Sequence, residues 1–149
     1  MDIPELSDAL LSHFLEQDFD KVAPGSLDLD LVVEKRNERI GFLLCPDRTE
    51  GMAYLGAFET AMARAVDARQ KDPKLKLALA VAFASTADGH SPSYRRALKK
   101  YSNSIVFDDL DLSLYLITGK QAIDTFPPGE VNEFLRNLNE WIAERKASN

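Results

Sequence analysis

Cysteine, tryptophan and histidine are almost missing from this chain: its 149 residues hold one Cys, one Trp and two His. The single thiol, Cys45, excludes an intrachain disulfide, and no paired Cys/His spacing of a zinc site exists. The glycines number seven and stand isolated, so there is neither a Walker loop nor a GxGxxG fingerprint to cradle a nucleotide. Long apolar runs are lacking too. The longest, Leu77 to Ala84, is strand-sized, well short of the ~20 residues of a membrane span. The opening Met1-Asp2-Ile3-Pro4-Glu5 is acidic and no apolar segment follows, so no secretory signal is expected. Positive charge is in deficit, with 18 Lys and Arg against 24 Asp and Glu and a net charge of −6. A duplex-wide grip on nucleic acid needs a positive field, so that class is disfavoured, although a local basic patch remains allowed. These absences point to a cytoplasmic protein with no membrane partner.

What is there suits one α/β domain over 1–149. Such a length buries roughly 68–70% of the unfolded chain's surface, and no repeat or linker divides it. Helical spacing of Leu6, Leu10 and Phe14 predicts a helix from Pro4 to about Glu16. A short strand is expected at Phe19 to Val22. Leu27 to Lys35 alternates as a strand, with Leu27, Leu29, Leu31 and Val33 on one face and Asp28, Asp30, Val32 and Glu34 on the other. After a turn at Arg36-Asn37-Glu38, Arg39 to Cys45 is apolar on both faces, the pattern of a covered strand. Met52 to Gln70 reads as a long helix burying Tyr54, Phe58, Ala61, Met62, Ala65 and Val66. Leu75 to Phe83 is a second covered strand, and its alanines 78, 80 and 82 leave one face thin enough for a helix to approach. Ser91 and Pro92 open a helix reaching about Tyr101. Ser104 to Phe107 and Leu112 to Ile117 are expected as short strands, and Val131 to about Lys146 as a final amphipathic helix.

The order helix, three strands, helix, strand over Pro4 to Phe107 resembles the restriction-endonuclease-like fold of the PD-(D/E)xK nuclease superfamily. The texture from Gly25 through Glu34-Lys35, a turn, and Arg39 to Cys45 carries the likeness. The resemblance implies a three-layer mixed sheet with helices on both faces, to which the Leu112 to Ile117 strand and the C-terminal helix are additions. In that family an aspartate on the second strand and a D/E-x-K triplet on the third hold a divalent metal, and the lysine helps to activate water. Asp30 matches the aspartate, or Asp28 if the register shifts. The triplet falls on Leu43-Leu44-Cys45. Leucine offers Mg²⁺ no oxygen, and a neutral thiol cannot replace an ammonium. The resemblance is therefore to a degenerate member, without a cofactor. The alternative is a relocated Mg²⁺ site using Asp30, Glu59 and Lys76, with Asp47 nearby.

Other candidates carry bland readings beside the functional ones. Asp28 and Asp30, about 7 Å apart on one strand face, either hold a cation or form a solvated face. Arg95, Arg96, Lys99 and Lys100 make a basic stripe for phosphate or partner contact, or simply a wet helix face. Lys35, Arg36 and Arg39 add charge at the hairpin. His90, in the loop Asp88-Gly89-His90, is an acid/base candidate; His13 has no metal-site spacing. Ser85, Ser91 and Ser93 lack a nucleophile-elbow context. Cys45 reads as a small buried hydrophobe. The function expected is a catalytically inactive nuclease-like domain serving as a binding or assembly module. Its partner is expected to be a protein or a second copy rather than nucleic acid. The alternative is a metal-dependent nuclease rearranged around Asp30.

Overall fold

The computed structural model describes residues 2–45, 53–83, 99–100, 106–118 and 122–148. Helix α1 spans Ile3–Leu15. The Asp2 side chain caps it by accepting from the Glu5 amide at 2.9 Å, and Pro4 sits in the first turn. Three strands follow, β1 (Asp20–Val22), β2 (Leu31–Lys35) and β3 (Glu38–Cys45), then helix α2 (Ala53–Lys71) and strand β4 (Lys76–Phe83). A short helix α3 (Val106–Asp109), strands β5 (Leu112–Thr118) and β6 (Ala122–Phe126), and helices α4 (Pro128–Arg136) and α5 (Leu138–Ser148) complete the order.

The six strands form one open mixed sheet in chain order, β1-β2-β3-β4-β5-β6. The first three pair antiparallel, β3 to β4 and β4 to β5 are parallel, and β5 to β6 is antiparallel again. Parallel neighbours need a crossover, and α2 supplies the one between β3 and β4. The central strands are covered on both faces. On one, Leu6, Leu10 and Phe14 of α1 form one cluster with Leu31, Val33, Phe42 and the thin alanine row 78, 80 and 82 of β4. On the other, Phe58, Ala61, Met62 and Ala65 of α2 meet Leu43, Cys45, Leu77, Leu79 and Val81, and the α4 residues Val131, Phe134 and Leu135 extend the same cluster. Each large apolar side chain so buried contributes about 1.5–3 kcal/mol. Arg69, near the end of α2, donates to the carbonyls of Pro73, Leu75, Leu110 and Asp111, tying the helix to two turns.

Several elements differ from the sequence reading. The alternation from Leu27 does not make one strand: β2 begins at Leu31, and Leu29 lies on the α2 face while Leu31 lies on the α1 face. Gly41 makes room for that crossing, since a Cβ there would sit 2.6 Å from Leu29 Cδ1. Val66 is 41% exposed rather than buried, and Ala68 takes the next place in the stripe at 1%. The side chain of Tyr54 lies outside the described residues, as do residues 84–91, expected as a loop, and the start of the helix expected from Ser91, although Lys99 and Lys100 are helical. Phe107, expected at the end of a strand, belongs to α3, where Asp108 and Asp109 follow. The antiparallel partner of β5 is instead β6. The expected final helix is two, α4 and α5, separated at Asn137, whose amide bonds back to the Glu133 and Phe134 carbonyls. The Leu112 to Thr118 strand is internal to the sheet; β1 and β6 are the edges.

Candidate functional site around Asp30

Aspartate is a poor strand former whose short side chain competes for backbone partners. Asp30 uses both properties at the point where β2 starts. Its amide donates to the Phe42 carbonyl at 3.0 Å, and its Oδ2 accepts from the Leu44 amide at 2.9 Å. The carboxylate thus takes a β3 amide that a longer β2 would have paired. Leu31 lies opposite Phe42, so the next residue back, Asp30, comes level with Leu43. Leu43 and Cys45 face α2, the side from which Asp30 is approached.

That approach is made by Arg64 of α2. Its Nη1 donates to Asp30 Oδ2 at 3.1 Å and its Nη2 to Asp30 Oδ1 at 3.0 Å, a two-pronged pairing that matches the planar fork of a guanidinium to a carboxylate. Nη2 also donates to Asp28 Oδ1 at 3.1 Å. The Arg64 Nε lies 3.1 Å from Asp28 Oδ2 as an ion pair without hydrogen-bond alignment. The side chains of Arg64 and Asp30 are 23% and 18% exposed, and Asp28 is largely in water at 69%. Hydrogen bonds and charge from Asp30, then Asp28, outweigh the desolvation that opposes them, and the Arg64 pKa is raised from an already high value. Arg64 is cationic at every pH the folded chain meets. Beside it, the Cys45 thiol is pushed up to about 12, by burial first and by Asp30 second, with Arg64 pulling in the other direction. It stands as a neutral SH group.

The other expected site residues lie in different company. Glu59, exposed on α2, accepts from Lys100 Nζ at 2.6 Å. Lys76 opens β4 on the opposite, α1-facing side of the sheet and donates to Glu38 at 2.9 Å. It pairs with Ile40 across the β3–β4 ladder, four residues short of the Leu44 level. Asp30, Glu59 and Lys76 are therefore not brought together. Of the basic stripe, Lys99 and Lys100 are described; Arg95 and Arg96 lie outside the described residues, as do Asp47, His90, Ser85, Ser91 and Ser93. At the hairpin Arg39 pairs with Glu34 at 3.1 Å. His13 is on exposed helix surface, 2.9 Å from the Gln17 amide nitrogen. Among the described residues, no three of His, Cys, Asp and Glu are grouped so as to hold a metal ion, and no helix is long and apolar enough to cross a membrane.

Arg64 is the member of this cluster that sequence reasoning passed over. Its only signal was position: it stands beside the alanines 61, 65 and 68 that α2 buries, where an arginine has to find an acceptor at the edge of the core. Both Asp30 oxygens accept from Arg64, and the residue level with Asp30 on β3 is Leu43, which offers no oxygen ligand. No family model, curated protein or solved structure matches this chain.

Proposed function

We propose that the chain is a degenerate restriction-endonuclease-like domain that has given up hydrolysis and works as a binding or assembly module. The element order α1-β1-β2-β3-α2-β4, with three antiparallel strands and β4 parallel to β3, supports the likeness. The observation that carries the loss of chemistry is Arg64 on Asp30. In a working nuclease of this type, the second-strand aspartate would keep its oxygens for a metal. Here an arginine from the same chain takes both of them. Leu43 supplies no third oxygen, and Cys45, protonated up to about pH 12, supplies no cation to steady a developing negative charge. The Asp28–Arg64–Asp30 cluster joins α2 to the start of β2, so its role is to fix the scaffold.

The net charge of −6 favours a protein partner, a second copy included, over nucleic acid. The test has two arms. Full-length protein is incubated with single- and double-stranded DNA and RNA in millimolar Mg²⁺ or Mn²⁺, and its mass is followed by light scattering across a concentration series. The reading expects no cleavage above that of Asp30→Ala. Self-association in the second arm would identify the partner as a second copy; a monomer throughout would point to a different protein. Metal-dependent cleavage abolished by Asp30→Ala would replace this reading with a nuclease rearranged around Asp30.

A further inference from the structure

On the sheet face opposite Arg64, a surface depression of about 690 Å³ opens between α1, the β2–β3 hairpin and β5. Its size falls within the roughly 300–1,000 Å³ of ordinary small-molecule sites. The floor is aromatic. Phe14 packs against Phe19, Phe42 and Tyr115 with ring centroids 5.1, 5.3 and 5.9 Å apart, and Tyr115 meets Phe42 edge-on at 5.2 Å. Phe14 and Phe19 are buried, whereas Tyr115 is half-buried and still presents surface to the depression.

The rim carries three cations, Lys35, Arg36 and Lys76, and one carboxylate, Glu38. Glu38 is answered by Lys76 at 2.9 Å. Lys35 donates to the neutral Gln17 carbonyl at 2.9 Å and lies 5.7 Å from the Phe19 ring centroid; Glu38, opposite it across the β2–β3 ladder, makes its ion pair with Lys76 instead. Arg36 is exposed at the hairpin turn with φ +53°, a backbone state that glycine or asparagine adopts more cheaply. The chain keeps a guanidinium there despite that cost. Among the described residues neither Lys35 nor Arg36 makes an ion pair, and Lys35 lies over the Phe19 ring, so the depression is locally basic on a molecule whose net charge is −6.

We infer that this depression, formed by Phe14, Phe19, Lys35, Arg36, Lys76 and Tyr115, is a binding site for a small aromatic carboxylate. The ring of such a ligand packs on Tyr115 and the edges of the phenylalanines, and its carboxylate lies towards Arg36 and Lys35. The Tyr115 hydroxyl, held in its protonated form by burial and by nearby Glu38, adds a donor at the same mouth. The site is independent of the Asp30 cluster, which lies across the sheet.

The test is an NMR titration of the full-length protein with benzoate, benzyl alcohol, acetate and inorganic phosphate. Benzoate is expected to shift resonances of Tyr115 and the hairpin at millimolar concentration. Benzyl alcohol, acetate and phosphate should each bind more weakly by about tenfold, since each lacks either the charge or the ring. Arg36→Gly relieves the positive φ and removes the charge, and should weaken benzoate by about fivefold without unfolding the chain. Tyr115→Phe, which keeps the ring, should retain most of the binding. The proposal is overturned if benzoate leaves these resonances unmoved, if benzyl alcohol binds equally well, if acetate or phosphate alone does so, or if Arg36→Gly binds benzoate as the parent does.

Discussion

The two faces of the sheet treat an ion pair in different ways. On the α2 face, Arg64 and Asp30 are 23% and 18% exposed and share two hydrogen bonds, with Asp28 as a further acceptor. On the α1 face, Lys76 and Glu38 make a single contact while 66% and 42% exposed. Both are one cation against carboxylate, yet their burial and valency differ. In the first pair, loss of a partner strands a charge at the edge of the core. In the second, water replaces the partner. The first therefore fixes structure, while the second leaves its surroundings adaptable, as a ligand site requires.

The sharpest way to break the comparison is to remove the cation from each side. Arg64→Ala should lower stability by about 2–3 kcal/mol, less than a fully buried pair because both partners retain some water. Urea denaturation with an unchanged m-value would read this directly. Gly41→Ala tests the packing beneath the same cluster. The new methyl meets Leu29 Cδ1 at 2.6 Å and Leu75 Cδ2 at 3.3 Å. Leu29 has to move, at about 1–2 kcal/mol, and the shift should appear in the Asp28–Asp30 amides. Lys76→Ala, the counterpart on the other face, should cost no more than about 0.5 kcal/mol. A loss equal to that of Arg64→Ala would erase the distinction between the faces.

Cys45 gives a pH test of the buried side. Its thiol is raised from 9.0 to about 12 in the folded chain. Above about pH 9 the unfolded state loses this proton and the folded state keeps it. Stability should therefore fall as pH rises from 9 towards 12, and Cys45→Ala should flatten that part of the profile. At pH 8, iodoacetamide should modify the native thiol on the order of a hundredfold more slowly than in urea. Equal rates would contradict the burial that insulates the site.

Much of the sheet was readable because central strands announce themselves. β3 and β4 are apolar on both faces, and the alanine row of β4 is buried in the same cluster as α1. Residue spacing also marked α1 and α2 to within a few positions. Alternation misled at Leu27 to Asp30, because periodicity assumes a continuous pleat. Here the backbone departs from it, and Gly41 lets Leu29 cross to the other face. β6 escaped notice because Ala-Ile-Asp-Thr-Phe is short and carries an aspartate. That aspartate, Asp124, accepts from the Trp141 indole at 3.3 Å, a long-range bond with no local signature. Of the site, both aspartates were legible, since they stand out among the leucines 27, 29 and 31. Their partner was not, because Arg64 lies 34 residues from Asp30 and only the packing of α2 on β3 brings it there.

The account rests on Arg64 serving as the resident cation of Asp30, and Mn²⁺ reports on this most directly. Paramagnetic broadening of amide resonances marks any residue near a bound ion, and the Leu44 amide, bonded to Asp30, lies at the centre of the cluster. With the parent protein, Mn²⁺ should leave the Leu44 and Asp30 amides no more broadened than exposed acidic surface elsewhere. Selective loss of those two signals at micromolar Mn²⁺ would mean that a metal displaces the guanidinium, and the inactive-module reading would fail.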